Sequence, residues 1–496
     1  MTDGTPTARP VRPLERRLRT AAPILLQGRT IASEPATLLD LTVASVRASG
    51  RLDLVWLLLV TVTGAFPTSV EVQAARRRLE LDDSIDSTIW LLNEARQSPT
   101  AGVDLDLRVG EVIVETDFSA RHDLHTGIQR VVRSTLPHWA AAHDLTPVVW
   151  TAGQTGLRTL DRVERDRLLS WGSATTAPVV PVPTGAGQVL VPWDCTVILM
   201  EVPAAGVCSR LAALGQYTGN RLTAIGYDCI PVVSADLVPA AEPERFVQYL
   251  EVVKYCSKVA GISVSASTEF AGFAGMLGSQ GLTGPEVVEC ALPVDHLGEA
   301  EAHSGHTRPV VLCIGSFEPR KNQLAVIHAC EQLWREGVDV ELRLIGGGGW
   351  KRDVAQAVGR LHASGRPISV HTAISEEELA ANYASARFTV FVSQHEGYGL
   401  PVAESLAYGV PAITTNYGST AEIAAGGGVL TVDPRDDQEI LDTMRRLLTD
   451  DHELDRLIAE IGRRPDRRWS EYAAELWQQL AAPAVASAAA LAGAAE

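Results

Sequence analysis

Residues 393–409 read S-Q-H-E-G-Y-G-L-P-V-A-E-S-L-A-Y-G and follow directly on the apolar run 388–392. The apolar run predicts a buried strand, the glycines turn the chain, Pro401 suits the first position of a helix, and Gly409 and Pro411 end it. A strand that stops in a glycine loop and restarts as a helix aims unpaired N–H groups and a partial positive charge at the loop mouth. The backbone near Gly399 and Leu400 is therefore expected to cradle an anion, by preference a diphosphate. Glu396 falls in the loop and Glu404 in the first turn of the helix. A carboxylate accepts hydrogen bonds in pairs, so Glu404 suits two ribose hydroxyls while Glu396 faces a cleft. A carboxylate that merely complements the helix dipole explains Glu404 equally well.

A second stretch points the same way. The strand expected at 310–314 runs into G-S-F-E-P-R-K-N (315–322), which puts Arg320 and Lys321 at the opening of the next helix. The helix dipole favours acids at that end, so a cation pair there needs an anion to offset it. Arginine offers a fork to phosphate oxygens and lysine a point charge, and together they suit a departing diphosphate. Two solvated surface cations are the competing reading.

Working outward, short β-branched runs alternate with helical segments on both sides. Strands are expected at 112–115, 147–151, 189–191, 197–202, 222–227, 258–262 and 287–290, with helices such as 127–142 and 243–255 between them. A second series follows at 310–314, 341–345, 368–371, 389–392, 412–414 and 429–432. This alternation predicts an α/β protein of two Rossmann-like, largely parallel domains with a cleft between them. The expected divisions are a basic, Pro-rich tail (1–30), a helical extension (31–105), an amino-terminal domain (106–295), a carboxyl-terminal domain (296–465), a helix (466–480) and an Ala-rich disordered tail (481–496).

Composition narrows the function. At 496 residues and 46% apolar content the chain can fill several cores, and a net charge of −17 argues against a nucleic-acid partner. Cys195, Cys208, Cys229, Cys256, Cys290, Cys313 and Cys330 show no C-x-x-C spacing and read as reduced thiols. The longest apolar run, 54–66, is shorter than the roughly 20 residues a membrane span needs and reads as a buried helix. The amino-terminal arginines (Arg9, Arg12, Arg16, Arg17, Arg19) precede too short an apolar stretch for a signal peptide. A cytoplasmic location is expected. That basic stretch reads first as a solvated tail, and second as a peripheral contact with the inner face of a membrane. His122, His125, His328 and His395 lack metal-ligand spacing, so structural or surface roles and no metal site are expected. Asp104 and Asp106 read as a solvated linker ahead of the first strand. Gly346 to Gly349 lacks the dinucleotide spacing and is expected to let backbone approach a ligand.

Taken together, I-G-S-F-E-P-R-K-N and E-G-Y-G-L-P-V-A-E resemble the retaining GT-B glycosyltransferases of family 4, particularly the bacterial mannosyl- and rhamnosyltransferases of surface-polysaccharide (O-antigen-type) assembly. The resemblance spans 309–436. It implies that Arg320 and Lys321 bind the donor diphosphate, Glu404 the ribose and Glu396 the donor sugar. Gly399, Leu400, Gly315 and Ser316 would meet the donor as well, and His371, Thr372 and Ile374 would border the base. In the first half, T-D-F-S…H-T-G-I-Q-R-V-V-R (116–133) is similar to the strand, glycine loop and helix that border the acceptor in that subgroup, and G-Y-D-C-I-P (226–231) to a strand end that faces the cleft. They nominate Gly127, Gln129, Arg130, Tyr227 and Asp228, with Tyr-Asp standing where many relatives carry His-Asp. The implied activity is metal-independent, retaining transfer of a hexose, with mannose from GDP-mannose the first choice, to a glycan or lipid-linked glycan acceptor. No cofactor beyond the nucleotide sugar is implied. A non-catalytic nucleotide-sugar scaffold or sensor, or an epimerase or phosphorylase on the same fold, are the alternatives.

Overall fold

A computed structural model describes residues 12–28, 34–124, 126–171, 187–293, 308–347 and 351–481. His125, Gly348, Gly349, the stretches 1–11 and 294–307 and the Ala-rich 482–496 lie outside the described residues.

Two sheets organise the chain. The first contains β1 (Asp104–Val109), β2 (Val112–Glu115), β3 (Thr146–Trp150), β4 (Leu157–Thr159), β5 (Gln188–Trp193), β6 (Thr196–Leu199), β7 (Arg221–Gly226), β8 (Lys258–Gly261) and β9 (Glu286–Glu289). Their spatial order is β1-β5-β4-β3-β2-β6-β7-β8-β9, and every pairing is parallel except those of β4 with β3 and β5. The second contains β10 (Val310–Ile314), β11 (Glu341–Ile345), β12 (Ile368–His371), β13 (Phe388–Phe391), β14 (Ala412–Thr415) and β15 (Val429–Val432), all parallel, in the order β12-β11-β10-β13-β14-β15. Central strands such as β10 (V-V-L-C-I) and β13 (F-T-V-F) are apolar almost throughout because helices cover both faces. In the second sheet the order reverses between β10 and β13. In the first, the chain leaves β2 for β3 on one side and later enters β6 on the other. Each reversal opens a crevice at the carboxyl ends of its strands.

The amino-terminal helices Arg12–Leu25, Pro35–Ser49, Leu52–Thr63, Ser69–Leu81 and Ser84–Gln97 share one hydrophobic core with the first sheet, so they are built into it. Leu52–Thr63 is apolar on all sides, and Leu54 through Val62 are buried, each large side chain contributing roughly 2 kcal/mol of burial. Two expectations are corrected here. The basic stretch is not a solvated tail over 12–25: Leu14, Leu18, Ala21 and Leu25 are buried, and so is Arg17. Arg17 donates to the carbonyls of Thr61 (2.7 Å), Val62 (2.8 Å), Ala101 (2.8 Å) and Val103 (2.8 Å), closing the carboxyl end of Leu52–Thr63. Burial pulls its pKa down to about 10, still charged at neutral pH. Arg16 pairs with Asp104 at 2.7 Å and Arg19 with Glu15 at 2.9 Å. Asp104 and Asp106, in turn, are not a linker but alternate residues of β1, whose D-L-D-L-R-V pattern pairs in parallel with β5 and buries Leu105.

The domains touch closely. Glu422 of the second accepts from Val264 N–H (2.9 Å) and Ser265 N–H (2.7 Å), capping the first-domain helix Val264–Met276. The helix Trp469–Leu480 returns to the first domain, where Trp139 Nε1 donates to Ala473 O at 2.7 Å and Arg221 to Leu480 O at 2.8 Å. Among the described residues no helix is long and apolar enough to cross a membrane.

Candidate active site

The reversal between β10 and β13 brings the two decisive stretches of sequence together. β10 leads into Gly315, and a 3₁₀ turn, Pro319–Lys321, precedes the helix Gln323–Arg335. The cation pair therefore sits ahead of the helix, separated from it by Asn322 in the left-handed conformation. β13 leads into the 393–399 loop, which hydrogen-bonds back to that turn: Gln394 N–H donates to Arg320 O at 2.7 Å. Lys321 Nζ lies 2.6 Å and Arg320 Nη1 3.0 Å from the same oxygen of Glu396, and Arg320 Nε lies 2.8 Å from Glu318. Ser393 Oγ also donates to Glu396. Lys321 rests over the Phe391 ring, 4.8 Å from its centroid. The negative charge that offsets the cation pair here is thus Glu396 itself. Burial alone would raise the Glu396 carboxyl, but Lys321 and Arg320 overcome that and hold it down at about 2.

Gly399 opens the helix Leu400–Ala407 with φ of 113°, and a Cβ there would stand 2.7 Å from Thr420 Cγ2, so the loop requires glycine. Because that helix begins at Leu400, Glu404 falls in its second turn, not the first. Its Oε2 accepts from Tyr383 OH at 2.7 Å, and its Oε1 is ion-paired to Arg130. A carboxylate has further lone pairs beyond these two, enough for a diol. Ser316 Oγ donates to Glu318 at 2.6 Å, and Ser316 O accepts from Gln323 Nε2 at 2.7 Å. Gly346 packs on the Gly315 carbonyl so tightly that a Cβ would overlap it. The close approach expected of the Gly346 stretch is therefore to backbone of the neighbouring loop. Gly346 N–H donates to His371 O at 3.0 Å, and Thr372 and Ile374 follow on the same rim, beyond edge strand β12.

Residues of the first domain face this loop pair. Gly127 starts the helix Gly127–Ala142 against Leu400, whose Cδ1 would lie 3.3 Å from a Cβ at Gly127. Arg130, expected on the acceptor side, reaches across to Glu404. Gln129 is buried and bonded to Thr126 Oγ1. Tyr227 donates its hydroxyl to Met200 O at 2.7 Å, so its ring is wall and not a free hydroxyl. Asp228 accepts from Ile230 N–H at 3.1 Å, and burial raises its carboxyl to about 6, with Arg320 opposing and Glu269 and Glu396 adding to the rise. A Cβ on Gly397 would strike Tyr227 O, which shows how closely the domains meet.

One bridge escapes sequence reading. His395 in the loop contacts Ser234 Oγ through Nδ1 (2.8 Å) and Glu269 Oε1 through Nε2 (2.6 Å), linking the 393–399 loop to the first domain. Burial works against its protonation, but the Glu269 carboxylate outweighs that and raises its pKa. Nothing local flags Glu269 or Ser234, which lie 126 and 161 residues away from His395. Among the described residues no group of three or more His, Cys, Asp or Glu is arranged to hold a metal ion.

Two Rossmann-like sheets with opposed crevices are the GT-B architecture. The solved α,α-trehalose 6-phosphate synthase of Burkholderia multivorans has the same fold, with a TM-score of 0.53, 12% identity and coverage of 78% of this chain and 99% of that one. Residues 299–464 match the family of glycosyl transferases group 1. It is 25% identical over 344 residues to the serotype-specific mannosyltransferase WbdA of Escherichia coli, covering 63% of this chain and 38% of that relative. It is 37% identical over 142 residues to the O-antigen chain mannosyltransferase B of Escherichia coli, covering 28% of this chain and 37% of that protein. The chain thus spans less than half the length of either relative.

Proposed function

We propose that this protein is a retaining, metal-independent hexosyltransferase that takes its sugar, mannose as first choice, from a nucleotide diphosphate donor such as GDP-mannose and delivers it to a glycan or lipid-linked glycan. The observation that carries the reading is the meeting of Arg320 and Lys321 with the Glu396 loop that leads into the helix Leu400–Ala407, at the reversal of the second sheet. Breaking the anomeric bond builds charge on the departing diphosphate, and fixed cations with aimed N–H groups stabilise it without reorganising. Glu396 holds both cations in place and faces the sugar. Glu404 accepts from the ribose, and the first domain presents the acceptor hydroxyl. In the front-face route, that hydroxyl attacks from the side the diphosphate leaves, and its proton passes to the departing phosphate oxygen. Two mannosyltransferases among the relatives support the choice of mannose. Cytoplasmic action, with contact at the inner face of a membrane for a lipid-linked acceptor, belongs to the same proposal, although Arg17 is unavailable to lipid.

The test is a thermal-shift screen of the purified chain against GDP-, UDP- and dTDP-sugars, followed by mass analysis of products formed with oligosaccharide acceptors. One nucleotide family should raise the unfolding temperature, since a ligand bound only by the native state stabilises it by mass action. Stabilisation by none of them would refute the proposal.

A further inference from the structure

The first sheet has its own reversal, between β2 and β6, and a cavity of about 370 Å³ opens there, in the range of small-molecule sites. Carboxyls from three neighbouring strand ends line it: Glu115 closes β2, Glu201 follows β6 and Asp228 follows β7. Glu201 is occupied, accepting from Phe118 N–H at 2.9 Å and Ser119 N–H at 3.0 Å. Glu115 is not. It is 1% exposed, its Oε1 accepts from Asp117 N–H at 3.2 Å, and its Oε2 has no hydrogen-bond partner among the described residues. A buried polar atom left unpaired is unfavourable and rare, and a ligand hydroxyl would satisfy it. Phe118, 40% exposed, supplies a flat apolar wall. At the far end Asp228 adjoins the donor loop, with Oδ2 3.0 Å from where a Cβ on Gly397 would lie.

We infer that this cavity seats the acceptor as an uncharged sugar terminus, with hydroxyls hydrogen-bonded to Glu115 and Asp228 and one ring face on Phe118, and that it refuses acidic sugars. The inference rests on the glycosyl-transfer reading. Of the described residues lining the cavity, Arg245 is the one cation, and it is paired to Glu242 at 2.8 Å. Burial, reinforced by Glu201, already holds the Glu115 carboxyl well above the ordinary range. Several carboxyls already share the cavity with that one paired cation, so a uronate or phosphorylated sugar would add charge that nothing there balances.

Saturation-transfer NMR on the full chain tests this with the methyl glycosides of mannose, glucose and galactose, each beside the methyl glycoside of its uronic acid, with GDP or UDP present. At least one neutral glycoside should bind at least tenfold more tightly than its uronate. Glu115→Leu, which removes the buried polar group, and the exposed Phe118→Ala should each weaken that binding about fivefold or more, while calorimetry gives unchanged nucleoside diphosphate affinity. Equal or tighter uronate binding, silence from every neutral glycoside, or full affinity in Phe118→Ala would overturn the inference. Nucleotide affinity is read separately, so its loss would count against the glycosyl-transfer reading instead.

Discussion

Lys321 and Glu396 lie 2.6 Å apart, and substituting each in turn should move diphosphate affinity in opposite directions. Arg320, Lys321, Glu318 and Glu396 form one contact set whose charges cancel. Lys321→Met leaves the set at minus one, and Glu396→Gln leaves it at plus one. A unit charge about 6 Å from a phosphate, at an effective dielectric of about 20, contributes roughly 2–3 kcal/mol. Lys321→Met should therefore weaken nucleoside diphosphate binding by about 30- to 150-fold, and Glu396→Gln should tighten it, by less, because the amide also releases both cations from their fixed positions. Turnover should fall in both variants, by about a hundredfold in Lys321→Met, where a preorganised charge on the leaving group is lost. Calorimetric titration with the nucleoside diphosphate and with the bare nucleoside isolates the phosphate contribution, and repeating it at higher salt should narrow the differences. Unchanged diphosphate affinity in Lys321→Met, or equal losses for nucleoside and diphosphate, would refute the electrostatic account.

Glu404→Ala should weaken donor binding by about 1–3 kcal/mol through the lost ribose contact, with little further loss for a donor lacking the ribose hydroxyls; calorimetry with the two donors decides. Arg17→Met removes the donor to four carbonyls and should destabilise the first domain by about 3–5 kcal/mol, read as an earlier urea transition in tryptophan fluorescence. An unshifted transition would contradict the buried role. The Asp228 carboxyl, held at about 6, keeps a proton in the native state that the unfolded chain has released between about pH 4 and 6, so its contribution to stability falls as pH rises through that window. Asp228→Asn should accordingly be more stable than the parent above about pH 6, by at most about 3 kcal/mol, and equal to it below about pH 4. A pH-independent difference in thermal midpoint would remove the titration from the explanation.

The two sides of the cleft are unequally legible in the sequence because they are built differently. The proposed diphosphate cradle is local. A single strand-loop-helix passage carries Glu396, Gly399 and Leu400, a second carries Arg320 and Lys321, and the glycines and proline that shape them are visible at fixed spacing. Even there the register slips: Pro401 looks like the start and puts Glu404 in a first turn, whereas the helix opens at Leu400. β1 escapes local reading for a related reason. Its alternation is a strand pattern, but short and half charged, and it becomes a strand only by pairing with β5, more than eighty residues on. Arg17 reads as solvated in any local window, since its burial depends on carbonyls 44 and 86 residues away.

The acceptor-side cavity is the extreme case. Glu115, Glu201 and Asp228 are separated by long stretches of chain and meet only because β2, β6 and β7 lie side by side. A carboxylate at the end of a buried strand carries no mark of what will face it. Resemblance nominates Tyr227 and Asp228 but passes over Glu115, whose unpaired oxygen is the strongest sign of a ligand in that crevice. The division has a physical consequence. In the proposed reading, diphosphate recognition rests on backbone N–H groups and two cations that many sequences can supply, so it points to the chemistry. The proposed acceptor choice rests on side chains that topology alone assembles, so exchanging one of them, as in Glu115→Leu, should change the acceptor without disturbing the donor cradle.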